Sequence, residues 1–227
     1  MHVFDQKTPY ICLVDNLRVR EKPSLSAKVL AYYHTGQVVY TMDSTRINEG
    51  IVWGRYTGNS GKKRFIALAT ADHRKRYMLP ATVNEQKTDQ MVKTAIFIAD
   101  DDSHGYSQVS RWPSQGSDFD CSSLMYWCAR KAGYRVPLMG YTGTMLADFT
   151  DAGFTPIHYG FDYPQYGDIL LNETDHTEMY IGQNKLVGAH SSETGGITGK
   201  PGDQTGREIS ICDFYNYPWD YILRPPK

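Results

Sequence analysis

The sequence predicts an α+β protein: a small β-barrel, then a larger unit in which helices precede an antiparallel sheet. Three observations carry this. Residues 10–70 form short runs that mix β-branched or aromatic residues with polar ones, broken by turn residues. From residue 85 apolar residues recur at helical spacing. Beyond residue 165 short strand-like runs return, and helices followed by strands is the α+β order. A chain of 227 residues is long enough for two such units.

In chain order, strands are expected at 10–14, 17–20, 29–33, 37–42, 51–56 and 63–68. Pro23-Ser24, Thr35-Gly36, Asn48-Glu49-Gly50 and Gly58-Asn59-Ser60-Gly61 separate them. Many short strands at this spacing suit a barrel of residues 1–70. Residues 71–84 read as a linker or edge segment, with Arg74-Lys75-Arg76 as a solvated face. The larger unit, 85–227, opens with a helix. Met91, Ala95 and Ile98, interleaved with Val92, Ile96 and Ala99, set its period, and Asp100-Asp101-Asp102-Ser103 and Gly105 end it. A loop rich in Ser, Gly and Pro leads to Asp120. The second helix is expected over 121–132, with Leu124, Met125, Cys128 and Ala132 inward and Gly133 just past its end. A third helix follows Thr142 and stops near Gly153. Strands then fall at 168–171, 176–181, 185–190, 208–212 and 221–223.

Composition narrows the function. A net charge of −1 with 22% charged residues gives no basic excess for a nucleic-acid partner. No run approaches the roughly 18 apolar residues of a membrane span. The start, Met1-His2-Val3-Phe4-Asp5, has no basic or apolar leader region. Action outside a cell is then expected to need lysis, a separate export system or a trimmed signal. The oligomeric state is not readable. Cysteines stand at 12, 121, 128 and 212, without CxxC or zinc spacing. Cys121 and Cys128, on one helix, lie about 10 Å apart along its axis, too far to bridge. Neither a disulfide, a metal nor another cofactor is expected.

The chemistry centres on Cys121 and His176. A cysteine at a helix N-terminus is expected to have a lowered pKa, through the dipole and unsatisfied N–H groups. The competing reading is a small core residue, which is assigned to Cys12, Cys128 and Cys212. Polar flanks Asp120, Ser122 and Ser123 argue against it for Cys121. His176 heads an alternating strand, with Glu178 and Tyr180 on its side and Thr177, Met179 and Ile181 on the other. A base on a rigid strand facing a helix end suits nucleophilic catalysis. A third group should orient the imidazole. His190, after the Gln183-Asn184 turn, leads; Glu178 is second, and a backbone carbonyl could also serve. Trp112 is read as lining the cleft or packing, and His104 as a loop surface residue. Gly195-Gly196-Ile197-Thr198-Gly199-Lys200 is one residue short of a phosphate loop and precedes Pro201, so it reads as a loop rimming the cleft.

Two resemblances follow. Leu17-Arg18-Val19-Arg20-Glu21-Lys22-Pro23-Ser24, with Ser26-Ala27-Lys28-Val29-Leu30 and Thr35-Gly36-Gln37-Val38-Val39, resembles the opening of bacterial SH3-like domains. It departs at Arg64-Phe65-Ile66, where those domains tend to show Gly-Trp-Val. The resemblance implies either a cell-wall peptide ligand or a packing role.

The second is larger. Asp120-Cys121-Ser122-Ser123, Gly167-Asp168-Ile169-Leu170 and His176-Thr177-Glu178-Met179-Tyr180-Ile181-Gly182 resemble the NlpC-type cell-wall hydrolases, papain-like cysteine peptidases of bacteria and phages. The stretch 101–108, the segment 202–209 and Tyr215-Asn216-Tyr217-Pro218-Trp219-Asp220 are similar to phage endolysins of that superfamily. The resemblance implies a papain-like fold over 88–224, with Cys121 as nucleophile and His176 as base and then acid. Tyr106 is implied as a substrate or oxyanion contact, with Asp120, Ser122, Ser123, Trp112 and Glu178 around the substrate. Many members carry a polar residue twelve positions after the base; here that position is Gly188, and His190 lies two further on. The implied substrate is the peptidoglycan stem peptide, cut at the γ-D-glutamyl–diamino acid bond. The alternatives are an N-acetylmuramoyl-L-alanine amidase, an acyltransferase, and a wall-binding protein without activity.

Overall fold

The structure is a computed structural model that describes residues 2–112 and 118–227, the side chains of residues 2–6 excepted. It divides into two compact units, Met1–Gln86 and Lys87–Lys227.

The first unit is an antiparallel sheet of β1 (His2–Cys12), β2 (Leu17–Arg20), β3 (Val29–Tyr33), β4 (Val38–Asn48), β5 (Ile51–Thr57), β6 (Lys63–Thr70) and β7 (Met78–Pro80). The strand order is β3-β2-β6-β5-β4-β1-β7. The sheet closes on itself. β7 pairs with β1 along one edge. On the other side the Tyr77 N–H donates to the Leu68 carbonyl at 2.8 Å, and Ala69 bridges Arg76. Inside lie Val19, Val39, Met42, Ile66 and Met78, all 2% exposed or less. The stretch 71–84 is therefore not a plain linker: it carries the strand that closes the barrel. A three-residue strand ending in Pro80 is too short to show alternation, which is why the sequence hides it.

The second unit contains α1 (Val83–Ala99), α2 (Cys121–Lys131) and α3 (Thr142–Asp151), followed by β8 (Thr155–His158), β9 (Ile169–Leu171), β10 (Thr177–Gly182), β11 (Lys185–Ala189), β12 (Ile209–Asp213) and β13 (Tyr221–Arg224). α1 begins two residues before the expected position because Thr82 and Glu85 form a reciprocal cap. The Glu85 N–H donates to Thr82 Oγ1 at 3.1 Å, and the Thr82 N–H to Glu85 Oε2 at 2.7 Å. α2 ends at Ala132, and Gly133 takes φ +88°, the left-handed conformation a residue with a Cβ resists.

The sheet order is β12-β11-β10-β9-β13-β8, antiparallel throughout. β8 is absent from the sequence reading. It is an edge strand with exposed Thr155 and Pro156, so no buried face marks it. Alternation divides the central strands into two apolar faces. Ile169, Met179, Val187 and Leu223 pack with Leu124, Met125 and Met91 of the helices. Leu170, Leu186 and Ile222 face the other way, against Trp219 and the aromatic residues around it. The fold is thus the expected α+β one, with the helices on one side of an antiparallel sheet.

The barrel closure can be tested directly. Tyr77→Pro removes the N–H that joins β7 to β6. It should destabilise the protein by about 1–3 kcal/mol, read as a lowered denaturation midpoint in urea.

Candidate active site

The site begins with the cap of α2. The Asp120 carboxylate accepts the Ser123 N–H at 2.7 Å and the Ser122 hydroxyl at 3.1 Å, while the Asp120 N–H donates to Ser123 Oγ at 2.9 Å. Arg111 pairs with the remaining carboxylate oxygen. All three capping residues are buried, at 3% exposure or less. Their polar atoms, expected at the substrate, are taken up by the helix start. This cap fixes Cys121 as the first residue of α2.

The thiol does not have the lowered pKa expected of a helix N-terminus. Burial pushes it up to about 12 and the Asp120 carboxylate adds to this, outweighing hydrogen bonds from the Thr177 and Ser122 backbone. Removing a thiolate from water costs more than two N–H groups return. Cys121 nonetheless sits against the first residue of β10, next in sequence to His176.

The β10–β11 hairpin builds the rest. Gln183 and Asn184 both have positive φ, as a two-residue hairpin turn requires. Gly182 pairs with Lys185, but Tyr180 pairs with Leu186 and Met179 with Val187, so a bulge shifts the register by one. Continued along the strands, this register sets Glu178 opposite Gly188 and His176 opposite His190. Glu178 is fully buried. Its Oε1 lies 3.0 Å from His176 Nε2, 3.3 Å from His190 Nδ1 and 2.8 Å from the donating Tyr215 hydroxyl. Cys212 Sγ donates to Oε2 at 3.7 Å. Burial raises the Glu178 pKa, but hydrogen bonds from His176, His190 and Tyr215 overturn that and hold it down to about 2. The group is a permanent buried anion.

An ionised carboxylate only accepts, so His176 Nε2 donates to it, and in the neutral ring the lone pair falls on Nδ1. The carboxylate thereby selects the tautomer. Gly188 makes room for it: a Cβ there would lie 2.7 Å from Glu178 Cγ and 3.0 Å from Cδ. Glu178 fills the space that a side chain at 188 would take. The orienting contact expected first from His190 is made by Glu178, and His190 reaches the base through it.

Residues before β13 wall the His176 ring. Trp219 stacks on it at 6.0 Å, and Tyr217 meets it edge-on at 5.7 Å while donating to Asp175. The sequence reading used this aromatic run as a motif without placing it in the site. Its signal was the density of aromatics around Pro218.

Tyr106 is buried and bridges Phe119; its hydroxyl accepts from Gln108 at 3.1 Å. Burial raises its pKa, and Cys121 and Asp120 are near enough to add to the rise. Its N–H donates to Glu208 at 3.1 Å, and Asp118 accepts from both Gly105 and Gly202, tying this strap to the segment before β12. Trp112 packs edge-on to Tyr126 within the helical core. His104 packs on Phe119, and 195–200 is loop.

The fold and site define an α+β protein with a buried cysteine at a helix start and a histidine held by a buried carboxylate. A family model described as an endolysin-like domain matches residues 186–227, which span β11 to β13. No curated protein matches the chain. Among solved structures, Ly7917 bound to the hydrolysing product of MDP is 27% identical, with 34% of this chain and 33% of that one covered and a TM-score of 0.29. The chain thus covers about a third of Ly7917. NlpC2 from Trichomonas vaginalis is 18% identical over 97% of this chain and 73% of that one, with a TM-score of 0.39. The resuscitation promoting factor interacting protein RipA is 17% identical over 65% and 66%, with a TM-score of 0.45. No helix among the described residues is long and apolar enough to cross a membrane.

Two measurements probe this geometry. Gly188→Ala should displace Glu178 and cost about 1–3 kcal/mol by overpacking, seen as a lower melting temperature. With the thiol pushed up to about 12, iodoacetamide labelling of Cys121 should climb about tenfold per pH unit between pH 7 and 9. A plateau already reached near pH 6 would instead reveal a preformed thiolate.

Proposed function

We propose that this chain is a peptidoglycan hydrolase that cleaves an amide bond of the stem peptide with Cys121 as nucleophile and His176 as base. The observation that carries the reading is the His176–Glu178 contact: with Nε2 donating to the carboxylate, the neutral ring has its lone pair on Nδ1, on the residue adjoining the one that Cys121 touches. Nδ1 takes the thiol proton as the sulfur attacks the amide carbon. That transfer at the moment of attack is what a thiol with a raised pKa requires. Backbone N–H groups at the start of α2, with Tyr106 beside them, stabilise the oxyanion. The imidazolium then gives its proton to the leaving amine. Water, deprotonated by the same nitrogen, cleaves the thioester and restores the thiol. Glu178 stays ionised throughout, and its charge favours the imidazolium. His190 and Tyr215 are positioning residues that hold Glu178.

The motif resemblance and the endolysin-like match over 186–227 support a cell-wall substrate. Among stem-peptide bonds, the γ-D-glutamyl–diamino acid link is the first choice, by the motif resemblance alone. The amide between N-acetylmuramic acid and L-Ala is the second. The barrel serves as a wall-binding or packing module, and the enzyme acts on the wall from outside or after lysis. A wall-binding protein without turnover is the reading from another class.

Mass spectrometry of muropeptides digested by the whole chain tests these together. A new amine on the diamino acid is expected; a freed L-Ala amine would mean the amidase, a coupled product a transferase, and unchanged muropeptides binding only. Cys121→Ala should release nothing, and turnover by that variant would overturn the mechanism. Glu178→Gln should lower kcat by roughly 10²–10⁴-fold with KM far less changed.

A further inference from the structure

We infer that His176, Glu178 and His190 form a binding site for a divalent transition-metal ion, best matched to Zn²⁺, whose occupation switches the hydrolase off. The inhibitory consequence rests on the function proposed above; the binding does not.

The two carboxylate–imidazole distances are those of ligands around an ion. Zn²⁺ binds imidazole nitrogen and carboxylate oxygen at about 2.0–2.2 Å, and a tetrahedron with such arms has edges of about 3.3 Å. Glu178 Oε1 stands 3.0 Å from His176 Nε2 and 3.3 Å from His190 Nδ1. One ligand atom from each residue lies within 4.8 Å of the others. Two imidazoles and a carboxylate are a zinc donor set, softer than the all-oxygen sites that calcium and magnesium prefer. The site is also reachable, since the side chains of His176 and His190 are 14% and 26% exposed. No linear zinc spacing marks the site, because its ligands come from a hairpin whose two strands are joined through a bulge.

Both histidines can present the nitrogen required. His190 Nε2 is buried and has no hydrogen-bond partner among the described residues. Nothing on that side fixes the tautomer, so the proton can move to Nε2 and free Nδ1 for the metal. In His176 the same exchange moves the proton from Nε2 to Nδ1. No proton is lost overall: each ring keeps one and turns its lone pair to the ion. The cost to catalysis is direct, because an Nδ1 that carries a proton cannot accept the one from Cys121.

Calorimetry with ZnCl₂, and the visible absorption of bound Co²⁺, should be measured on the whole chain as wild type, Cys121→Ala, His190→Ala and His190→Gln. One ion per chain is expected in wild type. Cys121→Ala should keep it, whereas either His190 variant should bind at least tenfold more weakly, with circular dichroism confirming that it is folded. Wall hydrolysis by wild type should fall with Zn²⁺ and recover with EDTA. The inference is overturned if no ion binds below about 1 mM, if the His190 variants bind as wild type does, or if Cys121→Ala abolishes binding, which would place the ion on the thiolate. Metal binding without any wall hydrolysis would refute the proposed function alone. Hydrolysis without metal binding would refute this inference alone.

Discussion

The second unit is organised around one buried charge, the Glu178 carboxylate. A lone carboxylate without water is costly, and every donor that compensates it is a residue the candidate site uses. His176 and His190 approach from the strand ends, Tyr215 from the segment before β13, and Cys212 from β12. Because these donors come from four separate stretches of chain, the anion holds them in one arrangement. Its low pKa reflects the sum of those contacts winning against burial.

The sheet makes this arrangement possible by having two apolar faces with different tasks. One packs the helices and so delivers Cys121 at the start of α2. The other buries Glu178 under the aromatic residues 214–219. His176 immediately precedes β10, with Nε2 turned toward the anion. Helix cap and strand end are each rigid, which suits a reaction that depends on small distances.

Much of this was legible in the residues. The α2 start, the three helices and most strands follow from caps, period and turn residues. Three features did not. β7 and β8 are short and carry prolines, and β8 lacks a buried face, so no pattern distinguishes them from loop. The helix-dipole argument for Cys121 omitted burial, which reverses the direction of its pKa. The partner of His176 depended on register. A two-residue turn at Gln183-Asn184 without a bulge would set Glu178 opposite Ala189, and only the bulge near Ile181 brings it to Gly188. Gly188 was the visible sign: a glycine where the hydrolases that the motifs resemble carry a polar side chain points to a neighbour that fills the gap.

The aromatic cover has a further consequence, for the order of events during synthesis. Trp219 follows His176 by 43 positions and Cys121 by 98. A growing chain that already contains Cys121 and His176 still lacks Tyr215, which binds the anion, and Trp219, which stacks on His176. On a ribosome the chain emerges from its N-terminal end, so the barrel and the helices can form while the sheet stays open on its second face. Glu178 is covered only after residues 215–219 have emerged, and β13, which sits between β9 and β8, follows later still. For the hydrolase proposed above, a half-made copy without these residues lacks the arrangement that orients His176.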